Sequence, residues 1–153
     1  MKLCEVFMAL GEDRTRRLVG HISIGKLKTY QLFERMKARL HLHKLNAETL
    51  AKAAGRAWTR LHQQDEEFAR DLAQAVLVSN LNLVRAVLDF LGVPHQDGFF
   101  AKDMDASLYL KDNWQQRVWD KFRQDYPEAP LLLYINHLAW ELAKEPEMFL
   151  PQT

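Results

Sequence analysis

The alternation of apolar and polar positions over residues 65–94 (DEEFARDLAQAVLVSNLNLVRAVLDFLGVP) frames the rest of the chain. At roughly 100° per residue, Glu67, Asp71, Gln74, Asn82, Arg85 and Asp89 fall on one narrow stripe, interrupted only by Val78. From Ala75 onward the remaining circumference is apolar apart from Ser79 and Asn80, as in a helix that needs partners on most sides. Asp65 is a residue type that caps helix N-termini, and Glu66 and Glu67 place negative charge on the positive end of the helix dipole. Gly92, Val93 and Pro94 form a stop: a left-handed residue, one that packs back on the last turn, and one that cannot continue. The pattern predicts a long central helix over about 66–91. Inside it Asn80 projects away from the polar stripe, so it should be buried and hydrogen-bonded, either as a core amide fixing register or as a ligand contact.

Elsewhere the signals are shorter. Leu3, Val6, Phe7 and Leu10 follow helical spacing up to Gly11. Glu12 to Arg17 is a charge cluster, and residues 18–25 (LVGHISIG) read as an irregular or extended linker, so residues 1–22 form an N-terminal helix and linker segment ahead of a helical domain at 23–153. A helix opening near Ser23 and running to about Leu42 gathers Leu32, Phe33, Met36 and Leu40 on one side. Asn46 caps a helix in which Leu50, Ala54, Ala57, Trp58 and Leu61 recur on one face, with a break favoured at Gln63 to Asp65. Asp97-Gly98 marks a turn. Asp103 or Asp105 starts a short helix through Leu108 and Leu110. Trp114, Val118, Trp119 and Phe122 define a helix ending before Pro127, and Pro130 sits in the first turn of a last helix that Pro146 closes, with His137, Glu141 and Lys144 outward. The fold expected is all-α: a single-domain bundle of about five or six helices around the long one.

At 153 residues the chain can bury a core without staples. Cys4 is the only cysteine, and no stretch approaches the ~18 apolar residues of a membrane span. These features point to a soluble cytoplasmic protein with no membrane partner. The net charge of +1 hides an asymmetry: residues 1–62 hold thirteen Lys and Arg against five acids, a net of +8, and the remainder carries −7. Such a chain can pair its halves internally, pair head to tail with a second copy, or offer its basic half to an anionic partner.

Several constellations bear on chemistry. His62 with Glu66 and His137 with Glu141 have i, i+4 spacing, which surface pairing explains better than metal ligation. His41 and His43 converge only in a strand, and here they end a helix. No metal and no cofactor are expected. His95 and Asp97, in the loop beyond the long helix (94–100) beside Phe99 and Phe100, are by elimination the best catalytic candidates, a carboxylate near an imidazole that it could tune as a general base, and Asn80 is the candidate ligand contact for a small-molecule site or enzyme there. Thr49 to Gly55 resembles the first helix and turn of a helix-turn-helix, but Arg56 stands where an apolar residue commonly follows the glycine, and the apolar spacing continues through Leu61. Nucleic-acid binding by the basic half would fall to Lys26, Lys28, Arg35, Arg39, Lys52, Arg56 and Arg60. With no phosphate loop, dinucleotide fingerprint or acyl-transfer motif in the sequence, the reading favoured is a non-enzymatic helical module acting through a protein partner or itself, as a homo-oligomer.

Overall fold

The computed structural model describes residues 1–37, 46–100, 104–144 and 146–151. Among the described residues the chain is all-helical, with nine α-helices, one 3-10 turn at Ala106–Leu108 and no strand. It divides into two compact units, Met1–Ser79 and Asn80–Thr153.

In the first unit, α1 (Leu3–Leu10) buries Leu3, Cys4, Val6, Phe7 and Leu10. Gly11, at φ +95°, separates it from α2 (Glu12–Val19). The charge cluster at 12–17 is therefore a helix and not a prelude to a linker. Its charges pair at i, i+4 (Glu12 with Arg16 at 3.7 Å, Asp13 with Arg17 at 2.5 Å), while Thr15, Leu18 and Val19 form its buried face. Ser23 accepts the Lys26 amide at the start of α3 (Ile24–Thr29). The helix expected over 23–42 is interrupted after Thr29, because Gln31 is left-handed (φ +53°), and α4 is a single turn at Leu32–Arg35. The remainder of that prediction, from 38 on, lies outside the described residues, as do His41, His43 and Arg39.

Asn46 caps α5 (Ala47–His62) through the Thr49 amide at 2.7 Å. This helix runs uninterrupted through Gly55, so the turn of a helix-turn-helix is not formed. The Arg16 guanidinium lies 3.4 Å from where a Cβ at position 55 would be. The break at 63–65 does occur: Gln64 is left-handed, and Asp65 caps α6 (Glu66–Val78) by accepting the Phe68 amide at 3.1 Å.

The long helix over 66–91 does not form. α6 stops at Val78 and α7 starts at Leu81 (Leu81–Leu91). Between them the Ser79 hydroxyl accepts the Ser23 amide at 3.0 Å, and Asn80 leaves the helical region (φ −130°, ψ 45°). Serine and asparagine side chains compete with the helical hydrogen bonds, and two in succession are a weak point that apolar periodicity does not register. Asn80 is thus a half-buried residue at the N-cap position of α7, not an amide inside a helix.

In the second unit, α7 ends as its sequence predicts. Gly92 is left-handed, its N–H reaches the Asp89 carbonyl (3.1 Å), and the Val93 N–H reaches that of Leu88 (2.9 Å), the two bonds of a Schellman motif with Val93 buried. Asp105 caps the 3-10 turn. α8 (Trp114–Phe122) buries Trp114, Val118, Trp119 and Phe122. α9 (Glu128–Leu142) is buried on all sides from Ala129 to Ala139, which includes His137, expected to face outward. Asn136, 1% exposed, satisfies its amide on backbone: Nδ2 donates to the Leu132 and Phe149 carbonyls (2.9 and 3.0 Å), and Oδ1 accepts the Phe149 N–H (2.7 Å). No single helix among the described residues is long and apolar enough to cross a membrane.

Candidate functional site

The loop after α7 is a tight hairpin. Gln96 and Phe99 exchange backbone hydrogen bonds (2.8 and 3.0 Å) across Asp97 and Gly98, both with positive φ (+53° and +90°), as a two-residue primed turn requires. A Cβ on Gly98 would stand 3.1 Å from Val84 Cγ1 and 3.5 Å from Leu81 Cδ2, so the turn packs directly on α7.

His95 braces this turn. Its Nδ1 accepts the Gly98 N–H at 3.0 Å, which leaves the proton on Nε2, donated to Asp89 at 2.6 Å. The expected pairing of His95 with Asp97 is replaced: Asp89, six residues earlier on α7, holds the imidazole, and Asp97 turns toward Arg85 at 3.8 Å. With both ring nitrogens engaged and the side chain only 12% exposed, His95 can accept a substrate proton only by releasing Gly98. What the hairpin presents outward is Phe99, 61% exposed, beside a shallow cavity of about 380 Å³ lined by Gln96, Asp97, Phe99 and Phe100. Asn80 immediately precedes Leu81, one of the two side chains under Gly98.

Of the arginines expected to bind nucleic acid, Arg35, Arg56 and Arg60 are anchored to their own unit. Arg35 donates to the Tyr30 carbonyl (2.6 Å) and to Asp71 (2.8 Å). Arg56 donates to the carbonyls of Met36 and Lys37 (3.3 and 2.6 Å). Arg60 donates to the Arg35 carbonyl (3.1 Å) and Asp65 (2.8 Å). The guanidiniums of Arg35 and Arg60 both lie over the Phe68 ring, 5.6 and 5.5 Å from its centre. Together they fasten α4 to α5 and α6. Of the predicted lysines, Lys52 pairs with Glu48 at 3.1 Å on an exposed face, Lys28 is exposed and Lys26 half-buried.

Other reactive side chains are also committed. Glu66 takes the first amides of α1, Leu3 N–H on Oε1 (2.7 Å) and Cys4 N–H on Oε2 (3.1 Å), and so is not a metal partner of His62, whose ring packs edge-on to Trp58. Burial, reinforced by Glu66, pushes the Cys4 thiol up to about 12, far from a reactive thiolate. Burial holds His137 down to about 4, hence neutral, with Glu141 at 3.6 Å from Nδ1. No group of three or more His, Cys, Asp or Glu able to hold a metal ion occurs among the described residues.

A second concavity, which the sequence reading missed by treating 12–17 as a mere charge cluster, lies between α2 and α5. It is an open depression of about 400 Å³ lined by Gly20, Leu50, Ala51 and Ala54, with Asp13, Arg16 and Arg17 beside them. The signal was present: Glu12/Arg16 and Asp13/Arg17 at helical spacing, with Thr15, Leu18 and Val19 completing an apolar face. Comparison with protein-family models, with curated proteins and with solved structures found no match to this chain.

Proposed function

We propose that this chain is a helical module that acts through protein contact, chiefly by associating with further copies of itself, rather than through chemistry on a substrate. The observation that carries this reading is Phe99. A large aromatic side chain stands exposed on a hairpin that two backbone bonds, the His95 brace and the Val84 contact hold in one geometry. Exposing an apolar ring on a mobile tip would make a poor anchor, whereas a fixed one binds with little entropy lost. Leu108 and Leu150, also exposed, belong to the same unit. The opposed charges of the two halves favour contact between copies. A reducing cytoplasmic setting fits a buried, protonated Cys4.

Sedimentation equilibrium from micromolar to millimolar chain concentration tests the proposal. The average mass should rise above that of one chain within this range, and Phe99→Thr should move the transition to higher concentration. A wild-type chain that stays monomeric throughout refutes self-association.

A further inference from the structure

Resting on the self-association reading, we infer that the contact is head to tail: the Phe99 hairpin of one copy seats in the groove between α2 and α5 of the next. Three observations select this occupant. Leu50, Ala51, Ala54 and Gly20 give the groove an apolar lining, and a knob that enters it must be apolar and narrow. Phe99 is such a knob, standing directly after a two-residue turn, Asp97 and Gly98, that adds little bulk behind the ring.

Charge then fixes orientation. Residues 1–79 hold fourteen Lys and Arg against nine acids, net +5, and residues 80–153 hold seven against eleven, net −4. At the contact itself Asp97, with its side chain 79% exposed and Arg85 3.8 Å away, sits two residues from Phe99, and the groove is lined by Arg16 and Arg17 together with Asp13. Each of these arginines already holds an acid on its own helix, Glu12 and Asp13, at well-exposed positions. A guanidinium has five donors in a planar fork and can serve a second carboxylate without surrendering the first. A hairpin meeting a second hairpin would instead set Asp97 against Asp97, which like charge disfavours. Because knob and groove are different surfaces, the interface is heterologous, so each copy can engage two neighbours and assembly proceeds to a ring or an open chain rather than stopping at a symmetric pair.

Complementary single variants test this. Phe99→Thr keeps the groove and loses the knob, and β-branched threonine preserves the hairpin backbone. Ala51→Glu keeps the knob, puts a charged side chain into the groove from an exposed helical position and repels Asp97. Each alone should associate roughly tenfold to a hundredfold more weakly than wild type, the affinity equivalent of withdrawing a buried phenylalanine. Mixed in equal amounts, they can form one intact interface, from Ala51→Glu hairpin to Phe99→Thr groove. Sedimentation should then show a species of two chains and nothing larger. Ala47→Glu, at the first position of α5 where an acid suits the helix dipole, is the second groove variant should Ala51→Glu melt early by circular dichroism. If wild type associates but either variant alone does so equally well, or if the mixture stays monomeric, the head-to-tail contact is wrong and self-association stands. If wild type is itself monomeric, both fall.

Discussion

Replacing Glu66 with alanine removes the cap that α6 supplies to α1, leaving the local one in which Glu5 accepts the Lys2 N–H at 3.3 Å, and tests whether α1 is held from a distance. The carboxylate accepts two part-buried amides, at 2.7 and 3.1 Å, at the positive end of α1 while occupying the first turn of α6. A hydrogen bond to a charged acceptor contributes about 1.5–3 kcal/mol, and capping residues at helix N-termini about 0.5–2 kcal/mol. Because part-buried amides recover some solvation in the variant, the two bonds together should count for about 2–3 kcal/mol, below their simple sum. With a urea dependence of about 2 kcal/mol per molar, that is a fall of about 1 M in the unfolding midpoint. Cys4 supplies a local probe, since it is the single cysteine, wholly buried on α1 and protonated. Maleimide labelling of Cys4 in native buffer should accelerate on the order of tenfold or more as α1 opens more often. An unchanged urea midpoint together with unchanged labelling would falsify the capping role. Glu66→Gln refines the test, for it retains one acceptor but turns an NH₂ toward the second amide, so it should fall between wild type and alanine.

Two further predictions concern the second unit. Gly98→Ala forces a side chain into a φ of +90° and to within 3.1 Å of Val84, and should destabilise by about 1–3 kcal/mol, whereas Asp97→Asn, suited to its left-handed position, should stay within about 0.5 kcal/mol of wild type; equal melting temperatures for the two would contradict the turn geometry. His137 gives a pH dependence whose sign follows from burial: its folded pKa of about 4 lies below the ordinary 6.5, so the unfolded chain binds the proton first and stability is lost as pH falls from about 6.5 toward 4, by about 3 kcal/mol from this residue. His137→Phe should flatten that part of the curve, and parallel wild-type and variant profiles would count against a buried neutral imidazole.

The caps were the most legible part of the sequence. Ser23, Asn46 and Asp65 each receive the amide three residues on, and Gly92 and Val93 close α7 as their residue types predict. This chemistry is local, so three or four letters determine it. The division at Ser79 and Asn80 was not legible from periodicity, because the apolar phase of α6 runs on into α7 and only the partner of Ser79, 56 residues away, records the interruption. The same distance effect hid Glu66, whose neighbours in sequence suggested His62 and whose partners are Leu3 and Cys4. At the hairpin, the turn at Asp97 and Gly98 was readable but the imidazole's partner was not: proximity in sequence favoured Asp97, and the C-terminal turn of α7 brought Asp89 instead. Helical periodicity gives His137 a polar face to occupy, and α9 has none from Ala129 to Ala139.

Asn136 ties Phe149 to the middle of α9 by a reciprocal pair of bonds, the pattern a neighbouring strand would make, although residues 146–151 have no regular secondary structure. The irregular segment therefore shares the cooperativity of the most buried helix. Its amide at Phe149 cannot exchange with solvent until the Asn136 side chain lets go, and that side chain is enclosed wherever α9 is intact. Local order at Phe149 is set by attachment to a foldon rather than by helical or extended backbone, even though Leu150 beside it is exposed.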